Sequence, residues 1–88
     1  MAYRIQLSPS AKRALETTLP DSVASAVWEF ITGPLAENPH RVGKPLRGQL
    51  EGRWTARRGE YRVIYRIEDS VVTVTILRLS HRRDAYRV

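Results

Sequence analysis

Residues 53–67 read RWTARRGEYRVIYRI, and two runs of period two meet there at Gly59-Glu60. After the glycine, Tyr61, Val63, Tyr65 and Ile67 share one side of an extended chain, and Arg62, Ile64 and Arg66 share the other, because successive strand side chains point to opposite faces. Before it, Trp54, Ala56 and Arg58 alternate with Arg53, Thr55 and Arg57. The spacing predicts a hairpin, with strands over 53–58 and 61–68 around a tight turn. Folded about Gly59-Glu60, Arg57 and Arg62 become cross-strand neighbours. Like charges placed opposite each other destabilise a sheet, so an anionic ligand explains the pair better than folding does.

Outward from this hairpin, Val71 to Leu79 (VVTVTILRL) is the most β-branched run of the chain and reads as a central strand after a turn at Asp69-Ser70. Tyr3, Ile5 and Leu7 alternate with Arg4 and Gln6 as a half-buried N-terminal strand. Ser8-Pro9 then starts a helix, a cap followed by a ring suited to the first turn, which runs to about Thr18 with Ala11, Ala14, Leu15 and Thr18 inward. Pro20 ends that helix and Asp21 caps a second. Its apolar stripe is Val23, Val27, Phe30 and Ile31, with Ala24 and Trp28 beside it. Gly33-Pro34 predicts a kink, and the helix is expected to be gone by Pro39. From His40 to Gly52 the chain is rich in Pro, Gly and cations and reads as a loop around at most a short edge strand near residues 45–47. The tail HRRDAYRV is too polar to join the sheet and is expected to form one helical turn.

The expected fold class is therefore α+β, in the order β-α-α-β-β-β. Two helices lie on one face of a small twisted antiparallel sheet and leave its other face open, with Arg62 on the open side. At 88 residues the chain reads as a single domain over 1–88 that buries roughly 60 to 65% of its unfolded surface. It has no cysteine, so neither disulfides nor thiolate metal sites contribute. MAYRIQLSPS lacks a basic-then-apolar signal and no apolar run approaches a membrane span, so a cytoplasmic protein with no membrane partner is expected.

The net charge of +6 is unevenly spread. Residues 1–40 carry three cations and four carboxylates, whereas residues 41–88 carry twelve cations and five carboxylates. Eleven of those twelve cations are arginine, whose planar fork grips a phosphate at two points and stacks on bases. A solvated basic surface would use more lysine and more interspersed acids. The composition thus points to a phosphate-rich partner.

The five carboxylates of that half are scattered, with no HExxH and no glycine-rich phosphate loop, which argues against a Mg²⁺-dependent nuclease and implies no cofactor and no metal. RNA allows a different route. Its 2′-OH attacks the adjacent phosphate when a base removes the proton, cations stabilise the added charge, and an acid protonates the leaving 5′-oxygen. The candidates for proton transfer are His81 and Tyr86, in a tail whose cations favour a phenolate.

The segments SPSAKRAL, KPLRGQLEGRWTARRGEYRVIYRIED and HRRDAYR resemble the RelE/ParE superfamily of bacterial toxins from toxin-antitoxin systems, over nearly the whole chain. The pieces PLRG, G-x-YR-x-x-Y-x-I and H-x-x-D-x-Y carry the resemblance. It implies a RelE-type endoribonuclease that cleaves mRNA in the ribosomal A site without metal and so inhibits translation. The alternative is a ParE-type, non-enzymatic inhibitor of DNA gyrase. It also implies a cognate acidic antitoxin that neutralises the toxin and, in complex with it, binds operator DNA. By position, the resemblance puts the phosphate-holding arginine at Arg62 and the terminal tyrosine at Tyr86. A histidine used by some relatives falls at His81, and a tail arginine at Arg82 or Arg83, with Arg83 assigned to catalysis and Arg82 to substrate binding. Lys44, Arg47, Arg53, Arg57 and Arg58 complete the expected substrate-binding set. Where some members carry two lysines two apart, this chain has Arg53 and Thr55, and Thr55 cannot replace a cation; Arg57 is the nearest compensating charge.

Overall fold

The computed structural model describes residues 2–81. A five-stranded sheet has the spatial order β1-β5-β4-β3-β2, built from β1 (Arg4–Leu7), β2 (Lys44–Pro45), β3 (Trp54–Arg58), β4 (Tyr61–Glu68) and β5 (Thr73–His81). The hairpin of β3 and β4 forms as its alternation dictates, turning through Gly59 at φ +61°, a conformation glycine adopts without penalty. The sheet is mixed rather than wholly antiparallel: β1 lies beside β5 and runs parallel to it, from Arg4 opposite Thr73 to Leu7 opposite Ile76. Nothing in the local pattern of β1 specifies which strand it joins.

The helices pack on one face. Helix α1 (Pro9–Arg13) is capped by Ser8, whose Oγ accepts the Ala11 N–H at 3.1 Å. Its last turn, over residues 14–18, widens so that the Leu19 N–H reaches the Ala14 carbonyl at 2.9 Å. The wider turn brings Leu19, not the expected Thr18, into the core. Helix α2 (Asp21–Phe30) continues through a second wide turn over residues 31–35 that contains Pro34, which has no N–H to give. Trp28, expected beside the apolar stripe, stays 43% exposed. A further helical turn, α3 (Pro39–Val42), stands where a loop was expected.

The core is one cluster. Ala11, Ala14, Leu19, Val27, Ile31 and Leu35 from the helices meet Ala56, Val63, Tyr65, Val74, Ile76 and Leu79 from the strands. Each fully buried large side chain, such as Ile31 or Leu35, contributes about 1.5–3 kcal/mol over exposure. Tyr65 is the largest of them, and its hydroxyl donates to the Pro39 carbonyl at 2.7 Å, tying the sheet to α3. Among the described residues no helix is long and apolar enough to cross a membrane. The expected C-terminal helical turn lies outside the described residues. His81, expected in that tail, instead ends β5 opposite Tyr61.

Candidate nucleic-acid interface

Register decides which side chains share the uncovered face. Arg57 pairs directly with Arg62, and Arg62 with Ser80. Ile64 sits between Thr55 and Arg78, and Lys44 pairs with Thr55. Residues opposite each other across a ladder project to the same side, so Lys44, Arg57, Arg62 and Arg78 face away from the helices. Arg66, opposite Thr75, and Arg4, opposite Thr73, extend the series. Against these six cations the strands of this face present one carboxylate, Glu68, which Arg66 meets at 3.3 Å.

Arg78 was not anticipated, and the reason is a bulge. Ile64 pairs with Arg78 but Tyr65 pairs with Ile76, so Leu77 is an extra residue in β5. The bulge lets Ile76 and Leu79 both face the core while Arg78 points out, which an uninterrupted period of two across VVTVTILRL does not allow. Ser8, the cap of α1, donates its hydroxyl to the Leu77 carbonyl at 2.7 Å, so the bulged backbone stays satisfied.

A cleft of about 460 Å³ opens at the Lys44 end of β2. Because β2 covers only Trp54 and Thr55, the edge of β3 beyond Thr55 is uncovered. Lys44, Thr55, Arg57 and Arg62 line the space, together with the backbone around Gly43. Arg62 is half-buried with its Nε enclosed, whereas Arg57 and Lys44 are exposed. The cleft can therefore receive an anion between two guanidinium groups and one ammonium, with Arg62 as the firmly seated member.

Not every expected residue reaches this cleft. Arg47 and Arg53 are exposed on the connection between β2 and β3 and do not line it. Arg58 lies on the helix side, beside a smaller groove formed with Ser22, Val23 and Tyr61. His81 also stands on the side of Tyr61, its ring meeting the Tyr61 ring edge-on at 5.3 Å, and its Nε2 lies 3.2 Å from Glu60. Sequence reading missed Glu60 because an exposed turn acid looks like ordinary surface. Arg82, Arg83 and Tyr86 lie outside the described residues.

A second polar cluster sits at the other end of the sheet. The Tyr3 hydroxyl donates to Asp69 Oδ1 at 2.6 Å, and His40 Nε2 lies 3.0 and 3.2 Å from the two oxygens of the same carboxylate. Hydrogen bonds from His40 and then Tyr3 hold the Asp69 carboxyl below its usual value, and the bond to Asp69 raises the Tyr3 phenol. The cluster clamps β1, α3 and the β4–β5 turn together. Among the described residues, no three His, Asp or Glu side chains converge as metal ligands.

A family model described as the ParE toxin of type II toxin-antitoxin systems, parDE, matches residues 5–86. Toxin RelG of Mycobacterium tuberculosis is 49% identical over 87 residues, covering 99% of each chain. Toxin RelE of the same organism is 46% identical over 86 residues, covering 98% of this chain and 88% of its own length. The crystal structure of the toxin-antitoxin complex RelBE2 from M. tuberculosis holds a chain that superposes with a TM-score of 0.88 at 48% identity, covering 96% of this chain and 95% of that one.

Proposed function

This chain belongs to the RelE/ParE superfamily of toxins from type II toxin-antitoxin systems, and on that premise we propose that it is an endoribonuclease that cleaves mRNA in the ribosomal A site. The observation that carries the reading is the cross-strand pair of Arg57 and Arg62 on an uncovered, cation-lined face. An RNA phosphate that reaches both guanidinium groups gains a pair of charge-assisted contacts on one face.

In the proposed reaction Arg62 holds the scissile phosphate and, with Arg57, stabilises the charge that builds on its oxygens as the 2′-oxygen attacks. Lys44 lies in the same cleft and contributes to holding the RNA. A base takes the 2′-OH proton, and the product is a 2′,3′-cyclic phosphate with a free 5′-hydroxyl. His81 is held by Glu60 on the side of the sheet away from Arg62, which favours Tyr86 as that base and leaves Arg82 and Arg83 to steady the RNA. The reaction takes place in the cytoplasm, on translating ribosomes, and needs no metal.

A cognate acidic antitoxin neutralises the toxin by covering its basic face or its helices, and the pair together binds operator DNA. The relative in RelBE2 is recorded in a toxin-antitoxin complex, and the basic half of this chain matches an acidic partner.

The test adds purified toxin to translating ribosomes and maps mRNA ends by primer extension. Discrete cuts that persist in EDTA are expected, and intact mRNA at saturating toxin overturns the reading. The family model's description favours one second reading, a ParE-type inhibitor of DNA gyrase. Loss of supercoiling by gyrase without any mRNA cleavage would select it.

A further inference from the structure

We propose that Lys44 is the general acid of this cleft, donating the proton that the leaving 5′-oxygen needs. The inference rests on the endoribonuclease reading and adds a role that sequence reading did not give the residue. Three observations carry it.

The first is register. Lys44 stands directly opposite Thr55, so β2 supplies an ammonium at the place on this face where β3 presents only a hydroxyl. The second is how firmly its base is held. A side chain at Gly43 would collide with the Tyr65 hydroxyl and the Thr55 carbonyl, and that hydroxyl is itself locked to the Pro39 carbonyl in the core. The backbone entering Lys44 is thereby fixed against the sheet, while its side chain remains exposed toward the cleft. The third is chemistry. The polar side chains lining the cleft are those of Lys44, Thr55, Arg57 and Arg62; a guanidinium is not a proton donor in ordinary acid catalysis and a hydroxyl is a poor acid. A lysine ammonium is a compact charge that does exchange its proton.

The geometry suits a division of labour. Strands β2 and β4 are two spacings apart, about 10 Å, enough for a phosphodiester to lie between Arg62 and Lys44. The base removes the 2′-OH proton as the 2′-oxygen bonds to phosphorus. The bond from phosphorus to the 5′-oxygen breaks, its electron pair passing to that oxygen, which takes a proton from Lys44 Nζ. The products are the 2′,3′-cyclic phosphate, a 5′-hydroxyl, the protonated base and a neutral amine; the base then releases its proton to water and the amine takes one up, so no proton is gained or lost overall.

The experiment compares wild type, Lys44→Ala and Lys44→Arg in single-turnover cleavage of ribosome-bound mRNA. One mRNA is natural, and the other carries sulfur in place of the leaving 5′-oxygen, so that departure needs no acid. Both variants are expected to cleave natural mRNA about 100-fold more slowly, with Lys44→Arg binding it as tightly as wild type. Lys44→Arg, which keeps the charge that holds the RNA, is expected to cleave the sulfur-bearing mRNA at close to the wild-type rate. A fast Lys44→Arg would show that charge alone is needed, and failure of sulfur to restore the rate would show a positioning or structural role; either result overturns the assignment. If wild type cleaves neither mRNA, the endoribonuclease reading falls with it, whereas an active wild type with a fast Lys44→Arg removes Lys44 alone.

Discussion

Tyr65 shows how one residue links the core to the functional face. Its ring fills the centre of the sheet, its hydroxyl anchors Pro39, and the same hydroxyl leaves no room for a side chain at Gly43. Gly43→Ala is accordingly expected to destabilise the fold by about 2 kcal/mol, since neither the carbonyl nor the bonded hydroxyl can yield cheaply; urea unfolding measures it. Burial pushes the Tyr65 phenol up to about 12. Its folded value lies above the unfolded value near 10, so the folded chain holds the proton more tightly and this contribution is complete below pH 10. It is then lost as pH rises from about 10 toward 12. Unfolding measured at stepped alkaline pH should show that fall in wild type and a shallower one in Tyr65→Phe, which keeps the ring and has no proton to lose.

Val72 is the strained residue of the β4–β5 connection, a β-branched side chain at φ +47° and 45% exposed. The left-handed conformation costs a non-glycine residue about 1–2 kcal/mol, and Val72→Gly is expected to raise the melting temperature, in contrast to most glycine substitutions. At this scale the sequence was legible wherever a pattern was local. The alternation around Gly59-Glu60 and the Ser8-Pro9 signal gave the hairpin and the start of α1. The Leu77 bulge was hidden because VVTVTILRL reads as an unbroken strand, and its stabilising partner, the Ser8 hydroxyl, is 69 positions away. Leu19 replaced Thr18 in the core for a similar reason: a wide turn has the same composition as a regular one. The parallel pairing of β1 with β5 is a choice made by the whole chain. The site followed the same rule. Arg57 and Arg62 came from adjacent strands and could be paired on paper, whereas the approach of Lys44 to Thr55 depends on where a two-residue strand docks.

At the scale of the whole molecule, and among the described residues, the helices cover one side of a five-stranded sheet and the other side presents six cations, so charge and topology act together. Cations that meet phosphates release counterions, and log affinity for single-stranded RNA then falls with log salt by about 0.7 per contact. Arg57→Ala is expected to make that slope shallower by about 0.7 without lowering stability, because it also removes a like-charged neighbour of Arg62; binding isotherms at several salt concentrations read it. The uneven charge of the sequence points to a phosphate-rich partner, and the register adds which cations share a face: Lys44, Arg57, Arg62, Arg66 and Arg78 with Arg4, and not Arg47, Arg53 or Arg58. The central claim is that this face cleaves RNA through Arg62. The most direct test is the single-turnover rate of mRNA cleavage on ribosomes for wild type and Arg62→Ala. A loss of about 100-fold or more is the predicted result, and cleavage by Arg62→Ala at the wild-type rate would contradict the account.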